Sequence, residues 1–177
     1  MTVTGFRQTI TVDTVAAEKS LRRLAARATD LTPAMEDIGQ SLVTSALLRF
    51  ESERGPDGKP WRLLSAATLL RRLGGRAKIY KKNGDFRKGA ATKLAQAKIL
   101  QDRGHLRSSI HFRARPDQVE VGSNMAYARI HQLGGEAGRK SARVQIPARP
   151  YLGLDDGDRA DVTRILRAFL TGGGDAV

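Results

Sequence analysis

Met35, Ile38, Leu42, Ala46 and Phe50 recur every three or four residues between a Thr32-Pro33 start and a Gly55-Pro56-Asp57-Gly58 turn. That spacing puts all five on one face of a single long helix. Threonine can accept from an orphan N–H at the helix start, and proline at the first helical position loses no bond. The glycine–proline turn stops the helix. An amphipathic helix of this length needs a cover for its apolar face, so the rest of the chain is read for that cover.

The sequence predicts several candidates. Thr4–Asp13 reads as a strand, with Phe6, Ile10 and Val12 on one face and Arg7, Thr9 and Thr11 on the other. Asp13 or Thr14 can cap a first helix carrying Val15, Leu21, Leu24, Ala25 and Ala28, which is expected to pair with the long helix as a hairpin. Leu63, Leu64, Leu69, Leu70 and Leu73 follow Trp61, and Ser65 can cap a short helix there. Ile110, Phe112 and Ala114, then Pro116-Asp117, then Val119 and Val121 spell a β-hairpin. Tyr127–Leu133 reads as a short helix ended by Gly134-Gly135, and Glu136–Arg143 as a polar loop. Val144–Leu152 is extended, since Pro147 and Pro150 forbid a helix; Pro147 also suggests an edge strand or a docking segment. The last helix starts among Asp155, Asp156 and Asp158, where negative charge suits the dipole. It carries Val162, Ile165, Leu166 and Phe169 on one face and ends at Gly172-Gly173-Gly174.

The expected fold is therefore α+β: a small antiparallel or mixed sheet packed with several helices. At 177 residues one domain over 1–177 is expected, with a frayed tail at 172–177. One stretch breaks the pattern. Residues 74–93 hold seven Lys/Arg (Arg76, Lys78, Lys81, Lys82, Arg87, Lys88, Lys93) against Asp85 alone. The expectation is a basic extended loop or arm inserted in the domain.

Charge narrows the partners. Lys and Arg number 31 against 18 Asp and Glu, a formal net charge of +13. Such an excess suits an acidic partner: nucleic acid, an anionic protein face or a membrane surface. Three readings of the 74–93 segment stay open: phosphate contact with Tyr80 and Phe86 stacking on bases, a solvated loop, or docking on an acidic subunit. Met1–Thr14 lacks the apolar core of a signal peptide, and no apolar run approaches the ~20 residues of a membrane span.

Catalytic signatures are missing. The chain has no cysteine, which removes disulfides, thiolate catalysis and Cys-held metals. His105, His111 and His131 lack zinc-helix spacing. The run Gly134–Ser141 departs from a phosphate loop because Arg139 stands where a glycine is required. Ser108 or Ser123 could pair with His105 or His131, but no Gly-x-Ser-x-Gly elbow supports a triad. Neither enzyme activity nor a cofactor is expected. Trp61, Tyr127 and Tyr151 are either core anchors or interface contacts, the latter a setting where aromatics are enriched.

Four blocks in order carry a family resemblance. Phe50–Thr68 reads FESERGPDGKPWRLLSAAT, Ile99–Ile110 reads ILQDRGHLRSSI, Val121–Gly135 reads VGSNMAYARIHQLGG and Ile146–Leu154 reads IPARPYLGL. Each resembles a block of the phage virion morphogenesis, or tail completion, proteins of Mu-like phages. The resemblance implies a small α+β protein acting late in assembly of a tailed phage or prophage. It would lie at the neck or tail top of the virion, and in host cytoplasm during assembly.

The implied form is a ring, often hexameric in related neck proteins. The implied neighbours are neck, connector and tail-tube or tail-terminator proteins, with DNA passing through the channel and no membrane. Trp61, Tyr127, His131, Arg149 and Tyr151 are then expected to hold the fold or its interfaces. Tyr127, Ile130 and Leu133 would anchor their short helix, and Pro147-Ala148-Arg149-Pro150 would present Arg149 to a carboxylate. Arg76, Lys78, Lys81, Lys82, Arg87 and Lys88 would contact the acidic partner. The alternative is a basic nucleic-acid-binding module using residues 74–93.

Overall fold

The computed structural model describes residues 14–172; the strand expected at Thr4–Asp13 and the tail beyond Gly172 lie outside them. In chain order the elements are α1 (Val15–Ala28), α2 (Thr32–Ser52), α3 (Ala66–Arg72), α4 (Arg76–Ile79), α5 (Ala90–Ala95), α6 (His105–Ser108), β1 (Ile110–Ala114), β2 (Val119–Ser123), α7 (Ala128–Leu133), β3 (Gly135–Ala137), β4 (Val144–Ile146) and α8 (Asp156–Thr171). The fold is α+β, and its described strands form two separate antiparallel pairs, β1–β2 and β3–β4.

The long helix is the axis. α2 buries Ala34, Met35, Ile38, Val43, Ala46 and Phe50, with Leu42 only half-buried beside them. Asp30 rather than Thr32 satisfies its first turn: the Thr32 N–H donates to Asp30 Oδ1 at 2.8 Å, and the Thr32 side chain first, then this backbone bond, hold that carboxyl below its usual range. Glu53 ends the helix in a left-handed conformation (φ 55°). The 55–58 turn then closes through a Gly58 N–H to Gly55 oxygen bond of 2.9 Å.

The β1–β2 hairpin supplies one cover, in the register Ile110↔Ser123 to Ala114↔Val119. Ile110, Phe112, Val119 and Val121 turn inward, as the alternation predicts. The Phe112 ring lies over Gly39 of α2, where an added Cβ would stand 2.3 Å from Phe112 Cδ2. Glycine inside a helix costs about 1 kcal/mol relative to alanine; here it admits an aromatic ring against the helix backbone.

α8 supplies the other cover. Asp155 and Asp158 form a reciprocal capping box at its start, and Val162, Ile165, Leu166 and Phe169 are half-buried. The expected hairpin of the first two helices is replaced by a different pairing, because α1 reaches α8. Arg27 donates to the Phe169 and Leu170 carbonyls at 3.1 and 3.2 Å, placing a cation on the orphan oxygens of a helix end.

Residues 74–93 are not an extended arm. α4 leads into a tight turn in which the Lys81 N–H donates to Asp85 oxygen at 2.7 Å. A Tyr80↔Phe86 bridge closes the turn, with the two rings stacked at 5.0 Å. Ile79 and Ala90 are buried. The aromatics that could have stacked on bases stack on each other.

Candidate functional site

Trp61 and Tyr151 settle as core anchors. Trp61 packs edge-on to Phe50 at 5.6 Å and its indole N–H donates to Pro150 oxygen at 2.9 Å. Tyr151 tilts against Phe50 at 5.2 Å, and its hydroxyl donates to Ala128 oxygen at 3.1 Å. Burial pushes the Tyr151 phenol above its ordinary value. With Val43, Ala46, Ile99, Leu100, Leu106 and Ile110 they form one apolar cluster.

The segment from Pro147 to Gly153 runs past this cluster without joining a sheet, since its prolines lack a ladder donor. Side chains satisfy its backbone instead. Gln132 Oε1 accepts from both Tyr151 N and Leu152 N at 3.0 Å, while its Nε2 donates to Leu152 oxygen at 2.8 Å. Arg49 of α2 donates to the Tyr151 and Gly153 oxygens at 3.3 and 2.8 Å. Its other terminal nitrogen pairs with Asp155 at 3.0 Å and with buried Asp158. Gly134 lets the preceding helix end lie against this segment: φ is +74°, and a Cβ there would stand 2.8 Å from Ala148 N.

Arg149 is the second buried guanidinium, only 6% exposed. Nε donates to Arg62 oxygen at 2.9 Å and Nη2 to Leu63 oxygen at 3.3 Å. Among the described residues no carboxylate pairs with it. Burial, then the nearby Arg72 and Arg62, pull it below its ordinary value. His131 feels the same field. Burial first, then Arg149 and Arg72, lower its affinity for a proton, and its Nδ1 is buried with no hydrogen-bond partner.

Both residues face a recess of about 620 Å³ between the Arg62–Arg72 stretch, the Asp102–Leu106 turn, α7 and β4. Among the described residues five arginines line it, Arg62, Arg71, Arg72, Arg103 and Arg149, against one carboxylate, Asp102. Asp102 sits 3.6 Å from Arg72 Nε. Leu63, Tyr127 and Val144 border the recess and are 79%, 41% and 59% exposed.

The recess thus gathers three of the predicted residues: Tyr127, His131 and Arg149. Trp61 and Tyr151 lie in the core, and Arg76, Lys78, Lys81, Lys82, Arg87 and Lys88 lie outside its lining. Two of those six serve their own segment. Arg76 lies over the Tyr80 ring at 5.6 Å, and Arg87 Nε donates to Ala77 and Tyr80 oxygens at 2.8 and 3.2 Å. The stripe expected to anchor α7 does not do so, since Tyr127 and Leu133 are exposed and buried Ala128 holds the helix instead. Ser123 bonds the Ser109 hydroxyl at 2.6 Å, not an imidazole.

Arg49, Arg62, Arg71, Arg72 and Arg103 carry much of the geometry without having been singled out in the sequence. Arg49 left one signal: a cation on the apolar face of α2, one residue before Phe50.

The family model for phage virion morphogenesis matches residues 12–171. The chain belongs to the phage virion morphogenesis family. The four-block resemblance is thereby borne out, and the protein takes its place among virion assembly proteins. It is 44% identical over 77 residues to the Mu-like prophage FluMu G protein 2 of Haemophilus influenzae. That match covers 44% of this chain and 55% of the Haemophilus protein, so the chain spans about half the length of that relative. It is 30% identical over 128 residues to the "Putative capsid assembly protein G" of Escherichia phage Mu, covering 72% of this chain and 71% of that protein. No solved structure matches significantly. Among the described residues no helix is long and apolar enough to cross a membrane.

Proposed function

We propose that this family member is a structural, non-catalytic subunit that completes the tail or the head–tail joint. In this reading it assembles into a ring and contacts neck, connector, tail-tube or tail-terminator neighbours. The observation that carries the reading is the exposed apolar border of Leu63, Tyr127 and Val144 around a cationic recess. Exposed apolar side chains grouped at a recess are characteristic of protein contact. Head-to-tail contacts between identical subunits close into rings.

The test is the mass of the purified protein by light scattering, at low and high salt, with and without duplex DNA. It is joined to electron microscopy of particles made without the protein. A discrete multimer without DNA, and particles lacking joined tails, are the expected results. A monomer that binds duplex tightly only at low salt would favour the nucleic-acid alternative, for which the exposed Lys81, Lys82 and Lys88 are the residues to replace.

A further inference from the structure

We infer that the recess is a docking site for an acidic peptide segment with apolar flanks, whose side-chain carboxylate is received by Arg149. The inference rests on the assembly reading only for which protein supplies the segment; the chemistry comes from the recess itself.

Arg149 is buried as a residue, and among the described residues its guanidinium meets two backbone carbonyls and no carboxylate, while its unbonded Nη1 keeps accessible surface. Its Nη1 makes no hydrogen bond among the described residues. A buried charge is ordinarily paired, and an arginine fork pairs best with a planar two-oxygen acceptor. The surrounding cations sharpen that demand. Arg62, Arg71, Arg72 and Arg103 share the recess with Asp102 alone, and Asp102 already faces Arg72. His131 lies in the same wall and brings no negative charge to it.

The walls distinguish a peptide from a phosphate. Leu64, Leu100, Leu106 and Ile146 line the interior, and exposed Leu63 and Val144 stand at the border. A duplex offers phosphates on a convex, hydrated surface, and its protein contacts are more polar than this. An aspartate or glutamate flanked by leucine-like residues meets both halves of the lining. Its carboxylate enters the guanidinium fork while its neighbours cover the exposed apolar border.

NMR titration of the full chain tests this. The probes are an acetylated, amidated peptide alternating leucine with glutamate, its glutamine twin, inorganic phosphate and a short DNA duplex. The acidic peptide is expected to move the Arg149 Nε–H resonance and the Tyr127 and Val144 amides. It should bind at least about tenfold more tightly than the glutamine twin. Arg71 and Arg103 are exposed, so the R71E/R103E double variant should keep the fold and lose about tenfold of that affinity.

Equal affinity for the two peptides, no movement of those resonances, binding unaffected by the double variant, or stronger movement with phosphate or duplex would each overturn the proposal. Particle formation without the protein is read separately. Particles lacking joined tails together with a flat titration remove the docking site and keep the assembly role. Normal particles with a selective titration do the reverse.

Discussion

Among the described residues two arginines are buried, and they are buried differently. Arg49 is 5% exposed and meets Asp155 and Asp158; Arg149 is 6% exposed and meets carbonyls and other arginines. The first region is electrostatically closed. Its acids cap α8, its cation comes from α2, and the extended segment before α8 accepts from that cation through the Tyr151 and Gly153 carbonyls. The second has the same desolvated cation but lacks the carboxylate. Burial alone therefore does not separate a structural charge from one held ready for a partner; the local balance of charges does.

Four experiments would break or sharpen that contrast. The largest effect is expected from Arg49→Met, which strands Asp158 in the interior and should cost about 3–5 kcal/mol in urea unfolding. Replacing Arg49 and Asp158 together by apolar residues should cost less than the single change. Next comes Arg149→Met, which relieves cationic crowding while losing two hydrogen bonds to carbonyls. A cost of about 1–3 kcal/mol is expected, below that of Arg49→Met on the same denaturant scale. An equal or larger cost would make Arg149 a structural charge like Arg49.

A smaller effect should follow from pH. The folded His131 has a value below its ordinary 6.5, so its stabilising share is present above 6.5 and is lost as pH falls through the folded value. Asp155, lowered by its bond from the Asp158 N–H and then by Arg49, behaves alike from 3.8 downward. Unfolding midpoints should therefore weaken first near the recess, and His131→Gln should remove the slope that begins at 6.5. A slope unchanged in that variant would assign the loss elsewhere. The smallest effect is expected at the surface. Glu136 bonds Arg143 at 2.8 Å, both half-exposed, and Glu136→Ala should cost under about 1 kcal/mol by thermal unfolding.

Periodic elements were legible from the sequence. The stripe from Met35 to Phe50, the alternation across Pro116-Asp117 and the acids before α8 each follow from one local rule, and each element formed. What stayed hidden depends on distant partners. Nothing local says that Arg27 will cap the end of α8, or that Tyr80 will close on Phe86 and turn a charge-rich stretch into a folded hairpin. At the site, Arg149 could be singled out because two prolines pin it. Arg62, Arg71, Arg72 and Arg103 looked like ordinary surface cations, since only the folded chain shows them lining one recess. The apolar stripe of Tyr127, Ile130 and Leu133 misled because Ala128, which the spacing did not single out, is the buried residue whose carbonyl accepts from the Tyr151 hydroxyl.

The closed arginine has a consequence for synthesis. Its bonds join α2 to residues 102 to 109 positions later in the chain. While the ribosome is still making the middle of the protein, Arg49 has neither of its acids, and its helix cannot bury that face without stranding a charge. The finished core must wait for the start of α8 to emerge. A nascent or prematurely ended chain is thereby kept from passing as the finished protein.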